Sequence, residues 1–226
     1  IYGKKILNKL NGFFAFAIYD TKEKTLFFAR DRLGIKPLYY SLFNGVFIFC
    51  SEIKPILETM LVPRKADHLG INQYLNLQSS FFPSTMIKNI QMLEPGSFGT
   101  LNHENLKLKT TKYWEMKIPS NYNSNFSKEA VVHNVRNKVL KAIELRQVSD
   151  VKVGAFLSGG VDSSIIVAGM KHLGIKDINT FSLVHEQSDY DESKYSDLIA
   201  KNNSTNHHKI NISKSCHRHG ASASDW

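Results

Sequence analysis

The string Leu157-Ser158-Gly159-Gly160-Val161-Asp162-Ser163-Ser164 constrains the fold of this chain more tightly than any other stretch. A short apolar run, Val151 to Phe156, precedes it, and Ile165-Ile166-Val167-Ala168 follows. That order predicts a strand, a loop of glycine and hydroxyl residues, and a helix. A pyrophosphate-binding turn needs this arrangement. Paired glycines let the backbone bend and approach an anion closely. Amides at the start of the helix point at the anion, and the helix dipole favours negative charge there. Ser158, Ser163 and Ser164 add hydroxyl donors. Asp162 would repel a phosphate unless it holds Mg²⁺ beside it or accepts backbone N–H groups of the loop. The plainer account is a glycine turn that merely joins a strand to a helix.

The common nucleotide loop reads G-x-x-x-x-G-K-[ST] and brings a lysine to the terminal phosphates. No lysine occurs between Lys152 and Lys171. The pattern S-G-G-x-D-S instead resembles the PP-loop of the ATP pyrophosphatase family. That resemblance implies cleavage of ATP between its α- and β-phosphates. It further implies adenylylation of a carboxylate or carbonyl oxygen, then displacement of AMP by a nitrogen or sulfur nucleophile.

At 226 residues the chain is long enough for two modest domains. Its 42% hydrophobic and 22% charged residues are those of an ordinary globular protein. No apolar run nears the ~20 residues a membrane-spanning helix needs, and no membrane partner is expected. With only Cys50 and Cys216, a disulfide framework is not available, which suits a reducing cytoplasm. The net charge is +9, but the lysines are scattered, which fits a solvated surface better than a nucleic-acid footprint. The chain begins at Ile1 and closes on an aperiodic polar run, so an internal piece of a longer protein is expected.

Strand signals dominate the first half. Gly12 to Tyr19 and Thr25 to Ala29 read as a hairpin around Asp20-Thr21-Lys22. Pro37 to Phe43 and Val46 to Cys50 flank Asn44-Gly45, a strong turn signal. Ser51 is placed to cap a short helix, and Asp67 a second whose apolar positions are Leu69, Tyr74, Leu75 and Leu77. Glu94-Pro95-Gly96 predicts a turn before a strand from Ser97 to Leu101. The polar stretch 119–126 reads as a linker. Beyond it Ser127 starts a helix with Val132, Val135, Val139, Ala142 and Ile143 on one face. From Val151 strands and helices alternate: the loop helix to Leu173, a strand from Ile178 to Val184, a helix from Asp191 to Lys201, and a strand from His208 to Ile212. Alternation of this kind predicts a parallel sheet with its ligand at the C-terminal ends of the strands.

Two further strings carry a second resemblance. Leu10-Asn11-Gly12-Phe13-Phe14-Ala15-Phe16-Ala17-Ile18-Tyr19-Asp20 and Arg30-Asp31-Arg32-Leu33-Gly34-Ile35-Lys36-Pro37-Leu38-Tyr39-Tyr40 resemble the class II glutamine amidotransferase domain. Ser51-Glu52-Ile53-Lys54, Leu93-Glu94-Pro95-Gly96 and Tyr113-Trp114 continue the match. With the PP-loop behind it, the order resembles the glutamine-hydrolysing asparagine synthetase family from about Leu7 to Ser213. The resemblance implies the C-terminal part of an α+β, N-terminal-nucleophile-type β-sandwich at 1–118, a linker at 119–126, and the N-terminal part of an α/β parallel-sheet PP-loop domain, adenine nucleotide alpha hydrolase-like, at 127–215, both domains incomplete. Residues 216–226 fall off the pattern.

It implies glutamine hydrolysis to ammonia in the first domain and formation of β-aspartyl-AMP from ATP and aspartate in the second, with ATP and Mg²⁺ required and a homodimer possible in the family. Leu157, Ser158, Gly159, Gly160, Val161, Asp162, Ser163 and Ser164 become the ATP site, with Asp162 the candidate Mg²⁺ ligand. Leu183 becomes an adenine contact through its backbone, or else a core strand leucine. Arg30, Asp31 and Gly34 take structural roles. The family's N-terminal cysteine nucleophile is not at Ile1, so this stretch by itself is expected neither to hydrolyse glutamine nor to make asparagine.

Other acceptors remain open, such as a surface sugar or a natural product, as do a tRNA-modifying PP-loop enzyme and an inactive scaffold. Cys216, His217 and His219 fit no structural zinc spacing. His207-His208 reads as structural or surface. Asp189, Asp191 and Glu192 read as helix-capping groups, with Mg²⁺ binding the alternative, and Cys50 as a small core residue.

Overall fold

The computed structural model describes residues 3–118, 127–185 and 192–212. The chain divides into two compact units, Ile1–Ser120 and Asn121–Trp226.

The first unit stacks two antiparallel sheets. One contains β1 (Ala15–Asp20), β2 (Thr25–Arg30), β6 (Ser97–Asn102) and β7 (Leu108–Lys112), in the order β1-β2-β6-β7. The other contains β3 (Tyr39–Phe43), β4 (Val46–Cys50) and β5 (Gln91–Met92), in the order β4-β3-β5. Alternation puts one aromatic set of each sheet inward. Phe28 of β2 meets Tyr40 and Phe47 of the other sheet at centroid distances of 5.7 and 5.4 Å. Gly99 of β6 makes room, since a Cβ there would lie 2.1 Å from the Phe28 ring. The outer faces are covered as well. Leu7 of a 3₁₀ turn (Gly3–Asn8) packs with Ala29 and Phe98, while α1 (Ile53–Glu58) packs Ile56 beside Val62 and Ile90.

The connection from β2 to β3 carries the chain from one sheet to the other. Asp31, 1% exposed, accepts four backbone amides there: Phe14 (3.3 Å), Leu33 (3.1 Å), Ile35 (3.0 Å) and Lys36 (2.9 Å). Arg30 donates to the carbonyls of Lys36 (2.8 Å), Leu93 (2.6 Å) and Gly34 (2.6 Å). Gly34, at φ +67°, takes a conformation a side chain would strain, and a Cβ would lie 2.9 Å from the Arg30 guanidinium carbon. Burial pushes the Asp31 carboxyl up, but the four amides together outweigh it and hold the group below its ordinary value.

Several expectations need correction. Glu52, not Ser51, stands at the N-terminus of α1, and no side chain caps it, because Ser51 still belongs to the bend out of β4. Asp67 does cap α2 (His68–Leu77), accepting from the Gly70 amide at 3.0 Å. Yet Leu69, Tyr74, Leu75 and Leu77 are all exposed. Gly70 forms the contact face instead, where a Cβ would lie 2.0 Å from the Thr85 carbonyl oxygen, and the leucines are turned outward. The short β5 and the polar β7 are additional strands.

The second unit holds a parallel sheet, β10-β9-β8, made of β8 (Gly154–Phe156), β9 (Asn179–His185) and β10 (Asn206–Ile212). Helices α3 (Lys128–Leu145), α4 (Val161–His172) and α5 (Ser193–Asn203) complete it. Ile143, Ala155, Leu157, Val167, Met170, Ile178 and Ala200 form its core. Ser127 caps α3 as expected, accepting from Ala130 at 3.2 Å. Of the predicted apolar face of α3, only Val139 and Ile143 are covered. Ile143 is buried against Gly169 of α4, whereas Val132 and Val135 remain exposed, lining an open hollow with Ile165 and Ala168 of α4, and Ala142 is exposed as well. The expected linker at 119–126, together with Asp189, Asp191, Cys216, His217 and His219, lies outside the described residues. Among the described residues no helix is long and apolar enough to cross a membrane.

Removing the buried Asp31 carboxylate leaves four part-buried amides without their acceptor, so Asp31→Ala should cost about 3 kcal/mol in urea unfolding. A depressed folded-state pKa contributes stability above the unfolded value of about 3.9 and loses it as pH falls through the folded one. The gap between wild type and Asp31→Ala should therefore narrow below about pH 4. A gap independent of pH would contradict this role.

Candidate functional site

Residues 157–164 stand where strand β8 gives way to helix α4. The Leu157 amide still donates to the Phe181 carbonyl of β9 at 2.8 Å, and then the chain leaves the sheet. Gly159 turns it at φ +86°. Gly160 is the N-cap of α4 without a side-chain cap bond, so the amides of Val161, Asp162 and Ser163 have no acceptor within the helix.

Hydroxyls hold the turn in shape. Ser158 Oγ accepts from the Gly160 amide at 3.3 Å and lies 3.1 Å from Ser163 Oγ. The Ser158 amide donates to Ser163 Oγ at 3.3 Å, and the hydroxyls of Ser163 and Ser164 donate to the Gly160 carbonyl at 3.2 and 2.7 Å. Asp162 sits in the first turn of α4 with its carboxylate exposed and without a partner among the described residues. It does not cap the loop amides, the first of its two anticipated roles. A single free carboxylate beside phosphates is a donor set Mg²⁺ accepts. Among the described residues no group of three or more His, Cys, Asp or Glu forms a metal cluster.

A cleft of about 340 Å³ opens beside the loop, lined by Phe156, Leu157, Ser158, Leu183, Ser193 and Ser196 among others. The sequence string and Leu183, 25 residues or so apart in the chain, are thus brought together by the pairing of β8 with β9. Leu183 is 58% exposed, so it is not the core leucine of the alternative reading. The buried face of β9 belongs instead to Thr180 and Ser182.

Several residues here escaped the sequence argument. Phe156 ends β8 exposed at the cleft, and the start of α5 forms the opposite wall through Glu192, Ser193 and Ser196. Glu192 is the N-cap position of α5 but makes no side-chain cap bond. A Cβ on Gly159 would lie 2.5 Å from Tyr195 Cβ and 2.7 Å from the Ser196 amide nitrogen, so the loop and α5 are closely fitted. Ser182 Oγ donates to the Leu157 carbonyl. His207, expected just ahead of a strand, lies inside β10 with only 11% of its side chain exposed. Burial lowers its pKa from the ordinary histidine value, against an opposing pull from Asp197. The only signal for this pair was the hydroxyl and imidazole at inward positions of strands otherwise read as apolar.

Residues 1–114 match the glutamine amidotransferase domain family, and residues 134–216 match the asparagine synthase family. Asparagine synthetase (glutamine-hydrolyzing) 3 of Bacillus subtilis is 34% identical over 223 residues, covering 92% of this chain and 36% of the relative. Asparagine synthetase (glutamine-hydrolyzing) 1 of the same organism is 32% identical over 196 residues, covering 84% and 29%. Amidase chyE of Penicillium rubens is 34% identical over 170 residues, covering 75% and 24%. The chain therefore spans between 24% and 36% of the length of these relatives.

Gly159→Ala would combine a positive φ with a clash against the backbone of α5, so it should cost about 2 kcal/mol or more in the unfolding of this unit. Gly160→Ala, where a Cβ meets only Ser158 Oγ at 3.4 Å, should be much milder. Equal thermal shifts for the two variants would contradict the described fit.

Proposed function

Because this chain belongs to the glutamine amidotransferase domain family and continues into an asparagine synthase domain, we propose that the whole protein is a glutamine-hydrolysing asparagine synthetase, a carbon–nitrogen ligase. The stacked antiparallel sheets support an N-terminal-nucleophile-type sandwich for the first unit. The parallel sheet with its strand–loop–helix turn supports a PP-loop, adenine nucleotide alpha hydrolase-like class for the second.

In this reading ATP binds with its β- and γ-phosphates on the loop from Leu157 to Ser164. The observation that carries it is the set of unpaired amides at Val161, Asp162 and Ser163, opening where Gly159 turns the chain beside the cleft. Leu183 borders the same cleft and offers its strand edge to the adenine. Asp162 would hold Mg²⁺, which would neutralise phosphate charge when bound. Amides and serine hydroxyls stabilise negative charge that grows on pyrophosphate as it leaves. The aspartate β-carboxylate then attacks the α-phosphorus, its oxygen–phosphorus bond forming as the bond to pyrophosphate breaks. Ammonia released from glutamine attacks the resulting β-aspartyl-AMP, expels AMP and yields asparagine.

The similarity to amidase chyE favours a second reading, in which the same pair of domains serves another acceptor. Assay of the full-length protein with ATP, Mg²⁺, aspartate and ammonium separates the two. Asparagine and pyrophosphate in equal amounts are expected. Pyrophosphate made with another acceptor but not with aspartate would move the second reading ahead. Asp162→Ala should lower ATP affinity at least about tenfold, and unchanged affinity would remove this loop from the phosphate site.

A further inference from the structure

The side chains behind the loop form a hydrogen-bond chain whose direction follows from proton counting once His207 carries its proton on Nε2. Leu157 is the first residue beyond β8, and its carbonyl is met by Ser182 Oγ. A carbonyl has no proton, so the single hydroxyl proton of Ser182 is spent on it. Ser182 Oγ can therefore only accept from His207 Nε2, which lies at 3.4 Å. A neutral imidazole has one N–H, so Nδ1 is bare and accepts from the Thr180 hydroxyl at 2.8 Å. Thr180 Oγ1 in turn accepts from the Thr205 hydroxyl at 2.8 Å. The donors run one way: Thr205, Thr180, His207, Ser182, Leu157.

A trans peptide points its C=O and N–H in opposite directions. Pinning the Leu157 carbonyl therefore aims the Ser158 amide, the first amide of the loop, which donates to Ser163 Oγ at 3.3 Å. We propose that His207 is a positioning residue that, through Ser182 and the Leu157 carbonyl, sets the orientation of the first amide of the phosphate loop. Its meaning for catalysis rests on reading Leu157 to Ser164 as the ATP site; the relay itself does not.

The surroundings suit a neutral imidazole. Asp197 of α5 approaches His207 Nε2 at 3.7 Å, but its other oxygen is engaged by Lys209 Nζ at 2.6 Å. Lys209 and His208 on β10 oppose a positive charge on the ring, while β9 presents the hydroxyls of Thr180 and Ser182 and the backbone of Thr180, which pulls weakly the other way.

The test is ¹⁵N NMR of the whole chain together with MgATP titration. Wild type should show His207 protonated at Nε2 and bare at Nδ1. His207→Phe should displace the Ser158 and Ser163 amide signals and weaken MgATP binding about tenfold, whereas His207→Gln, whose side-chain amide replaces the Nε2–H, should restore most of both. In a Ser182→Ala background, which removes the link with little change in volume, His207→Phe should add little. A proton on Nδ1 alone, unmoved Ser158 signals in His207→Phe, or additive effects of the two substitutions would each overturn the proposal. If the amide signals behave as expected and wild type binds no MgATP, the relay stands and the ATP reading of the loop fails.

Discussion

Asp31 must accept backbone amides from both ends of a sheet-to-sheet crossing, and the first unit is organised around that demand. The Phe14 amide enters from ahead of β1, while those of Leu33, Ile35 and Lys36 come from the crossing itself. Arg30 reaches the other way, to the carbonyls of Lys36, Gly34 and Leu93. The main chain of Asp31 also joins, donating to Phe14 and accepting from Gly96, each at 2.8 Å. Around a buried carboxylate such groups cannot be left unpaired without cost, because each part-buried amide would lose water without full replacement. One adjacent pair of opposite charges thus satisfies a loop that has no ladder of its own. The aromatic packing of Phe28 on Tyr40 and Phe47 depends on this, since it requires β2 and β3 to leave the crossing at a set distance.

The same economy governs the second unit with neutral groups. At Leu157 the chain must leave the sheet, and its carbonyl leaves the ladder with it. Ser182 supplies the missing donor, and His207 lies against Ser182 Oγ. Hydroxyls of Ser158, Ser163 and Ser164 then close the turn on itself, leaving the amides of the first turn of α4 as the unspent donors. The loop is held from behind and from within, so its open side is available to an anion.

Much of this was legible along the chain. Asn44-Gly45 both take positive φ and make the β3–β4 turn as expected, because few other pairs tolerate that conformation. Asp67 and Ser127 cap their helices, since capping depends on neighbours three residues away. The apolar faces of α2 and α3 were less legible. Periodicity finds a stripe but not its partner. In α2 the close approach of Gly70 to Thr85 decided which side faces inward, and in α3 the contact of Ile143 with Gly169 of α4 decided which apolar residue is buried.

The sequence by itself determined the glycine–hydroxyl turn at 157–164, because its chemistry is local: glycine conformations and hydroxyls within a few residues of the groups they serve. Arg30, Asp31 and Gly34 stood out only through the family resemblance, since two of their partners, Phe14 and Leu93, are distant in the chain. The tertiary structure alone decided that Leu183 faces the cleft, that the start of α5 walls it, and that Ser182 and His207 stand behind Leu157. Those relations depend on strand pairing and helix packing between residues some 25 to 50 positions apart, a distance over which side-chain identity carries no register.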